Sequence, residues 1–201
     1  EDILDPEKVG AERDNLNRIR QRYENLPIPY LNLQKVARER VLKKNEEQEE
    51  ELRKLYSSLR QRYFPSLGFD ERSFVDLYPV HPAMLTFYER VVQEVGPRSI
   101  LSFLSQSALE IQDQPQDTLV TIAELYDHLQ DELATHTSFG KLVRDIFPYF
   151  EENIPYWLEE EEREWALKAI KGLIILHIVG DRRRCQELAE LILYRGIEGE
   201  V

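Results

Sequence analysis

The chain has 201 residues, and its 42% hydrophobic and 32% charged side chains are typical of a folded globular protein rather than a disordered one. Its 26 basic and 38 acidic side chains give a formal net charge of −12. Cys185 is the only cysteine, and no apolar run approaches the roughly 20 residues of a membrane-spanning helix, so we expect a cytoplasmic protein without disulfides, cysteine metal sites or membrane contacts.

Residues 1–30 are predicted to form an N-terminal helix and a Pro-rich connector. Asp5 followed by Pro6 is a favourable helix start, because an acid can cap the first turn and Pro fits the first helical position. The two prolines in Leu26–Pro29 end that helix in an extended segment. The chain begins at Glu1 without Met, and we expect it to be an excised part of a larger protein.

A long second helix is predicted from Asn32 to about Tyr63, because this stretch contains no Gly or Pro and many strong helix formers. Within it, the acid- and amide-rich stretch Glu46–Glu51 is either solvated helix or an exposed joint. Its first half carries five basic residues: Lys35, Arg38, Arg40, Lys43 and Lys44. One interpretation is that these cations pair with neighbouring acids and stay solvated. The other is that Arg38 and Arg40 contact a phosphate of a nucleotide or nucleic acid.

A rigid turn is predicted at Tyr78–Pro82, between a short helix that Asp70 caps and a helix that Pro82 opens. Gly96-Pro97 then ends the second of these helices, and Arg98 begins another. The helix dipole disfavours a cation at such a position. Arg98 therefore either pairs with Glu94 or holds an anion between its guanidinium and the helix N-terminus.

Residues 113–201 are predicted to form an acidic helical subdomain. Apolar stripes with helical spacing predict four helices there, beginning near Thr121, Ser138, Glu159 and Gln186. His177 is expected in the core, inside the third of these helices. Fifteen acids and three basic residues lie between Glu110 and Glu164, a surplus equal to the whole net charge. Such a surface repels phosphate backbones, so direct nucleic-acid binding is not expected.

The sequence contains no complete catalytic motif. A phosphate loop, a G-x-S-x-G elbow, an H-E-x-x-H zinc helix and a C-x-x-C pair are all absent. Glu124, His128 and Asp131 or Glu132 share one helical face with metal-ligand spacing, but a solvated amphipathic face explains them more simply. We therefore predict that the chain alone is not an enzyme and holds no metal or cofactor.

Three runs of residues resemble a known family. The succession Lys35–Lys44, Leu77–Pro82 and Arg98–Leu104 is similar to a helical region that follows the AAA+ core in the large P-loop ATPases of BREX-type bacteriophage-defence systems. The Leu-Tyr-Pro-x-His-Pro turn of that family is matched in full at Leu77–Pro82. The resemblance covers about residues 31–112.

The resemblance implies that residues 31–112 form a lid-like helical subdomain of a bacterial ATPase. Arg98 would correspond to the lid arginine that senses the γ-phosphate of ATP. The residues that would belong to the lid scaffold are Tyr78, Pro79, His81 and Pro82. ATP and Mg²⁺ would then be bound by the upstream nucleotide-binding core rather than by this chain. Leu188–Leu191 resembles the first helix of a winged-helix region, so a truncated winged helix is expected at the C-terminus.

The sequence thus predicts an all-α, multi-helix domain, formed by two packed helical subdomains. This domain would close on nucleotide bound by the neighbouring core and transmit the closure to downstream domains. An alternative is an acidic interaction scaffold without a nucleotide role, in which residues 110–164 dock a basic protein partner. A weaker alternative is a DNA-binding module that uses the basic helix at Lys35–Lys44.

Overall fold

The structure, a computed structural model, describes residues 34–62, 68–95, 100–111 and 113–193. The N-terminal helix and connector predicted at residues 1–30 lie outside them, and so does Arg98. Throughout the described ranges the regular elements are helices, which confirms the predicted all-α fold. The eight α-helices of these ranges are α1 (Glu46–Arg62), α2 (Glu71–Leu77), α3 (Ala83–Val95), α4 (Ile100–Glu110), α5 (Ile122–Thr135), α6 (Phe147–Trp157), α7 (Glu160–Ile178) and α8 (Cys185–Ile192). None of the helices described combines the length and the apolar character that crossing a membrane requires.

The structure divides the long helix predicted from Asn32 to Tyr63 into two. A π-helical segment, Ala37–Val41, ends at Leu42, whose φ of −103° and ψ of 40° leave the helical region. α1 then starts behind a reciprocal cap. The Gln48 amide donates to Oδ1 of Asn45 at 2.8 Å, and the Asn45 amide donates to Oε1 of Gln48 at 3.0 Å. Because such a capping box satisfies free backbone donors, it defines a new helix start. The predicted helix is therefore interrupted just before Glu46, and Glu46–Glu51, where a joint was the alternative, is the helical first part of α1.

Side chains also fix the first turns of α2 and α5. The Asp70 carboxylate accepts a hydrogen bond from the Ser73 amide at 2.7 Å, which is the cap predicted for α2. At α5 the Glu124 carboxylate accepts from the Thr121 amide at 2.7 Å, and the Thr121 hydroxyl accepts from the Ala123 amide at 3.2 Å. The first cap fixes the start of α2, the helix that ends at the Tyr78–Pro82 turn, and the second fixes the start of α5.

α5 lies at the centre of the core and packs against α3 and α7. Five of its large side chains are fully buried: Ile122, Leu125, Tyr126, Leu129 and Leu133. Gly172 of α7 faces this helix, because a Cβ added there would lie 3.2 Å from Ile122 of α5 and 3.1 Å from Leu188 of α8. The missing side chain therefore lets three helices approach closely.

One continuous cluster of buried side chains extends from Ala37 in the π-helical segment Ala37–Val41 to Ile192 in α8. A second, smaller cluster joins α1 and α2 to Leu119 and Leu193. Both clusters combine side chains from before and after residue 112. The two predicted subdomains, 31–112 and 113–201, therefore share their cores over the described residues.

Candidate functional site

The Tyr78–Pro82 turn joins α2 to α3 and is hydrogen-bonded to a distant segment. Its cis Tyr78–Pro79 peptide bond follows the last turn of α2. The His81 amide donates to the Val120 carbonyl at 2.8 Å, and the Val120 amide donates to the Pro79 carbonyl at 2.9 Å. These two bonds form a parallel bridge between the turn and the segment that leads into α5. The turn is therefore fixed to both predicted subdomains.

His81 is buried in this turn, with 3% of its surface exposed. Its Nδ1 accepts a hydrogen bond from the Ala83 amide at 3.2 Å, and the Phe69 ring lies edge-on to the imidazole at 4.8 Å. Nε2 has no hydrogen-bond partner among the described residues. Burial lowers the pKa of His81 to about 4, although the nearby backbone of Glu190 opposes this shift. His81 is therefore neutral near pH 7 and serves the packing of the turn.

A cleft of about 620 Å³ opens beside His81 and Pro82, and we refer to it as the His81 cleft. Asp181 lies in its wall, with a carboxylate oxygen 3.1 Å from both Nη1 of Arg90 and Nη2 of Arg183. Burial works against ionisation of Asp181, but the hydrogen bonds and charges of the two arginines lower its pKa overall. The cleft is thus bordered by an ion-pair network that joins α3 to the segment before α8.

Positive and negative charges are mixed along the His81 cleft. Its lining arginines are Arg90, Arg183 and Arg184, and its lining acids are Asp70, Asp181, Glu187 and Glu190. Two of these acids cap helices, because Asp70 accepts from the Ser73 amide and Glu187 accepts from the Arg184 amide at 2.7 Å. The cleft therefore presents both hydrogen-bond donors and acceptors, which suits contact with a polar protein surface better than capture of a lone anion.

A second cleft, of about 400 Å³, lies on the Tyr78 and Pro79 side of the turn. Lys44 lies at its edge, and Nζ donates to the carbonyls of Leu42 at 2.8 Å and Asp76 at 3.3 Å. Burial lowers the pKa of Lys44 to about 8, and the charge of Asp76 partly opposes this shift. Because its ammonium group is hydrogen-bonded to two backbone carbonyls, Lys44 holds the segment before α1 against α2.

Arg38 and Arg40, the residues predicted to contact phosphate, have different surroundings. Arg38 forms ion pairs with Glu49 at 3.4 Å and with Asp76 at 3.1 Å, which is the salt-bridging interpretation of the basic run. Arg40 is exposed. Arg98, between the end of α3 and the start of α4 in the sequence, lies outside the described residues.

The helical face with metal-ligand spacing is occupied by other contacts. Glu124 belongs to the α5 cap and lies 3.7 Å from Nζ of Lys168. The His128 ring lies 4.5 Å from that of Phe103. Within the ranges that the structure describes, no group of His, Cys, Asp and Glu side chains is arranged to hold a metal ion.

The Arg90–Asp181 pair was not predicted from the sequence. The two residues are 91 positions apart, and neither stands in a motif or a charge run that points to the other. The nearest signal is the cluster Arg182–Arg184 directly after Asp181, because cations near a helix C-terminus often contact its last carbonyls.

Comparison with known proteins links the chain to one family. A family model described as the DUF6079 second domain matches residues 45–189. This range begins just before α1 and includes the Tyr78–Pro82 turn, Arg90 and Asp181. No curated protein and no solved structure matches the chain.

Proposed function

This chain belongs to the DUF6079 second-domain family, and we propose that it is a non-catalytic helical lid and coupling module of a larger bacterial P-loop ATPase of the phage-defence type. In this proposal the module closes on ATP and Mg²⁺ bound by an upstream core in the same cytoplasmic protein. Its closure is transmitted to downstream domains. The family description, a second domain, supports a position of this module after another domain in the sequence of the longer protein.

The observation that carries the proposal is the bridge between the Tyr78–Pro82 turn and Val120. The turn belongs to the run of residues that resembles an ATPase lid, and Val120 leads into the central helix α5. A displacement of the turn would therefore move α5 with it, because the two backbone bonds and the shared core resist independent motion. Such a rigid link is what a coupling module needs.

The Arg90–Asp181 ion pair is a second link that supports the coupling role. It ties α3 to the segment before α8, and Arg90 also donates to the Val179 carbonyl at 2.5 Å. α3 is the helix that directly precedes Arg98 in the sequence. A force applied near Arg98 would thus reach both the centre and the C-terminal end of the described domain.

Arg98 is the residue that we propose to contact nucleotide. It precedes α4, whose first residue, Ile100, is buried in the core. A long cationic side chain connected to a packed helix is suited to reach a γ-phosphate on a neighbouring domain. The domain would contribute this contact, while the core would supply the phosphate loop and the metal-binding acids.

Calorimetric titration with ATP and Mg²⁺ tests whether the core binds the nucleotide and the isolated chain does not. We expect micromolar affinity for the full-length protein and no detectable binding for the isolated chain. The reason is that a single Arg cannot replace a nest of backbone donors together with a phosphate-loop Lys. A full-length variant with that Lys replaced by Ala serves as the control and should lose binding. Micromolar binding by the isolated chain, or none by the full-length protein, would contradict the proposal.

A further inference from the structure

α6 exposes a group of large aromatic side chains. Its inward residues, Phe147 and Ile154, are buried in the core. On the outside, Tyr149, Tyr156 and Trp157 are 55%, 86% and 52% exposed. The helix is therefore attached through two apolar residues, while three large rings face solvent.

Three aromatic rings of α6 are in mutual contact. The Tyr149 and Phe150 ring centres are 5.6 Å apart, those of Tyr149 and Trp157 are 5.9 Å apart, and those of Phe150 and Trp157 are 6.3 Å apart. Tyr156 stands seven positions after Tyr149, which places both on one face of the helix. Together Tyr149, Phe150, Tyr156 and Trp157 define the α6 aromatic surface. Contiguous exposed apolar surfaces of this kind mark interaction sites.

Exposed acidic side chains lie close in sequence to the α6 aromatic surface. Glu151 and Glu152 are exposed on the same helix, and the exposed run Glu159–Glu162 lies where α7 begins. Among the residues that the structure describes, no cation lies within ion-pair distance of these six carboxylates. The two arginines nearest in sequence donate to backbone carbonyls instead, Arg144 to that of Ala134 and Arg163 to those of Leu158 and Pro155.

From this combination we infer that the α6 aromatic surface docks a Lys- or Arg-rich segment of a partner protein. The ring faces of Tyr156 and Trp157 would receive guanidinium or ammonium groups as cation–π contacts. The six carboxylates would pair with the neighbouring cations of the same segment and speed its association. This inference is independent of the proposed lid function, because it uses neither Arg98 nor nucleotide.

The negative charge near the rings favours a basic protein segment over other molecules that bind aromatic surfaces. A second copy of the chain would bring one acidic border against another, and like charges across an interface are unfavourable. Nucleic acids and anionic lipid headgroups would be repelled by the same carboxylates. Of these occupants, a basic protein segment is the one that both the rings and the carboxylates attract.

Fluorescence anisotropy of a dye-labelled peptide of alternating Arg and Ser residues, titrated with the full-length protein, tests the inference. We expect saturable binding that weakens about tenfold in the variant carrying Tyr156→Ala and Trp157→Ala, since two cation–π contacts are lost. The pair Glu159→Gln and Glu160→Gln should weaken binding several-fold and reduce its salt dependence. A peptide of alternating Glu and Ser residues should not bind.

Two matched variants control for general effects. Leu109→Ala removes another exposed apolar side chain, and the pair Glu46→Gln and Glu47→Gln neutralises another exposed helix start. Both should bind the peptide like the wild type. If circular dichroism shows that the double variant is misfolded, the single variant Tyr156→Ala, which removes the most exposed of these rings, is used in its place. Unchanged binding in both aromatic variants, equal losses in the controls, or self-association that Tyr156→Ala abolishes would overturn the inference.

Discussion

Replacing Arg98 by Ala in the full-length protein is expected to slow ATP turnover by about 10²- to 10³-fold, the usual effect of removing one positioned donor from a charged transition state. The physical reason is the proposed contact with the γ-phosphate, where charge develops as the phosphoryl group is transferred. Surface substitutions away from special features usually change the free energy of unfolding by only about 0.5 kcal/mol, and we expect a change of this size for Arg98→Ala. Turnover should therefore fall while the melting temperature stays close to that of the wild type.

The measurement compares ATPase rate and melting temperature for the wild type, Arg98→Ala and a matched control. Arg60→Ala is a suitable control, because Arg60 is an exposed arginine on α1. It should leave both quantities unchanged. If Arg98→Ala keeps normal turnover, or if its rate falls together with its melting temperature, Arg98 has a structural role and the lid proposal is wrong.

Acid is expected to destabilise the fold through His81. Burial lowers the pKa of His81 to about 4 from the ordinary value of 6.5, so the folded state favours the neutral imidazole. The stabilisation is complete above pH 6.5 and is lost as the pH falls from 6.5 towards 4, because the unfolded chain takes up a proton that the folded chain resists. The loss amounts to about 2 kcal/mol at pH 5 and about 3 kcal/mol at pH 4.

Urea unfolding of the chain at pH 7, 5 and 4 measures this effect against His81→Asn. The Asn carboxamide oxygen can accept from the Ala83 amide in place of Nδ1, but it does not titrate. The variant should thus lose about 3 kcal/mol less stability than the wild type between pH 7 and pH 4. Since all carboxylates titrate alike in both proteins, parallel pH profiles would show that His81 is not the buried acid-sensitive group.

The features that depend on neighbouring residues were predictable from the sequence. Few turn residues and repeated apolar stripes predicted an all-α fold, and Asp70 was predicted as the cap of α2. The break before α1 is also encoded locally, because Asn45 and Gln48 have the spacing of a capping box. Composition alone suggested a possible joint a few residues later, at Glu46–Glu51, because helix propensity is strong over the whole stretch and does not locate a cap.

The features that depend on tertiary packing were not predictable. His177 is exposed, contrary to the prediction of a core position, because Ile174, Ile175 and Ile178 form the inward face of α7. The apolar character of the helix gave no indication of which side faces the core. The ion pair between Arg90 and Asp181 likewise requires α3 and the end of α7 to meet, which a single sequence does not indicate.

The most direct test of the lid proposal is hydrogen–deuterium exchange of the full-length protein with and without a non-hydrolysable ATP analogue. The peptide that covers residues 96–104 should exchange more slowly when the analogue is bound, because closure would bring Arg98 and the start of α4 against the nucleotide. The α6 peptide, residues 147–157, provides an internal reference and should be unchanged. Slower exchange at 96–104 is the predicted result. Unchanged exchange there, while phosphate-loop peptides of the core become protected, would show that nucleotide binds without this domain and would contradict the lid proposal.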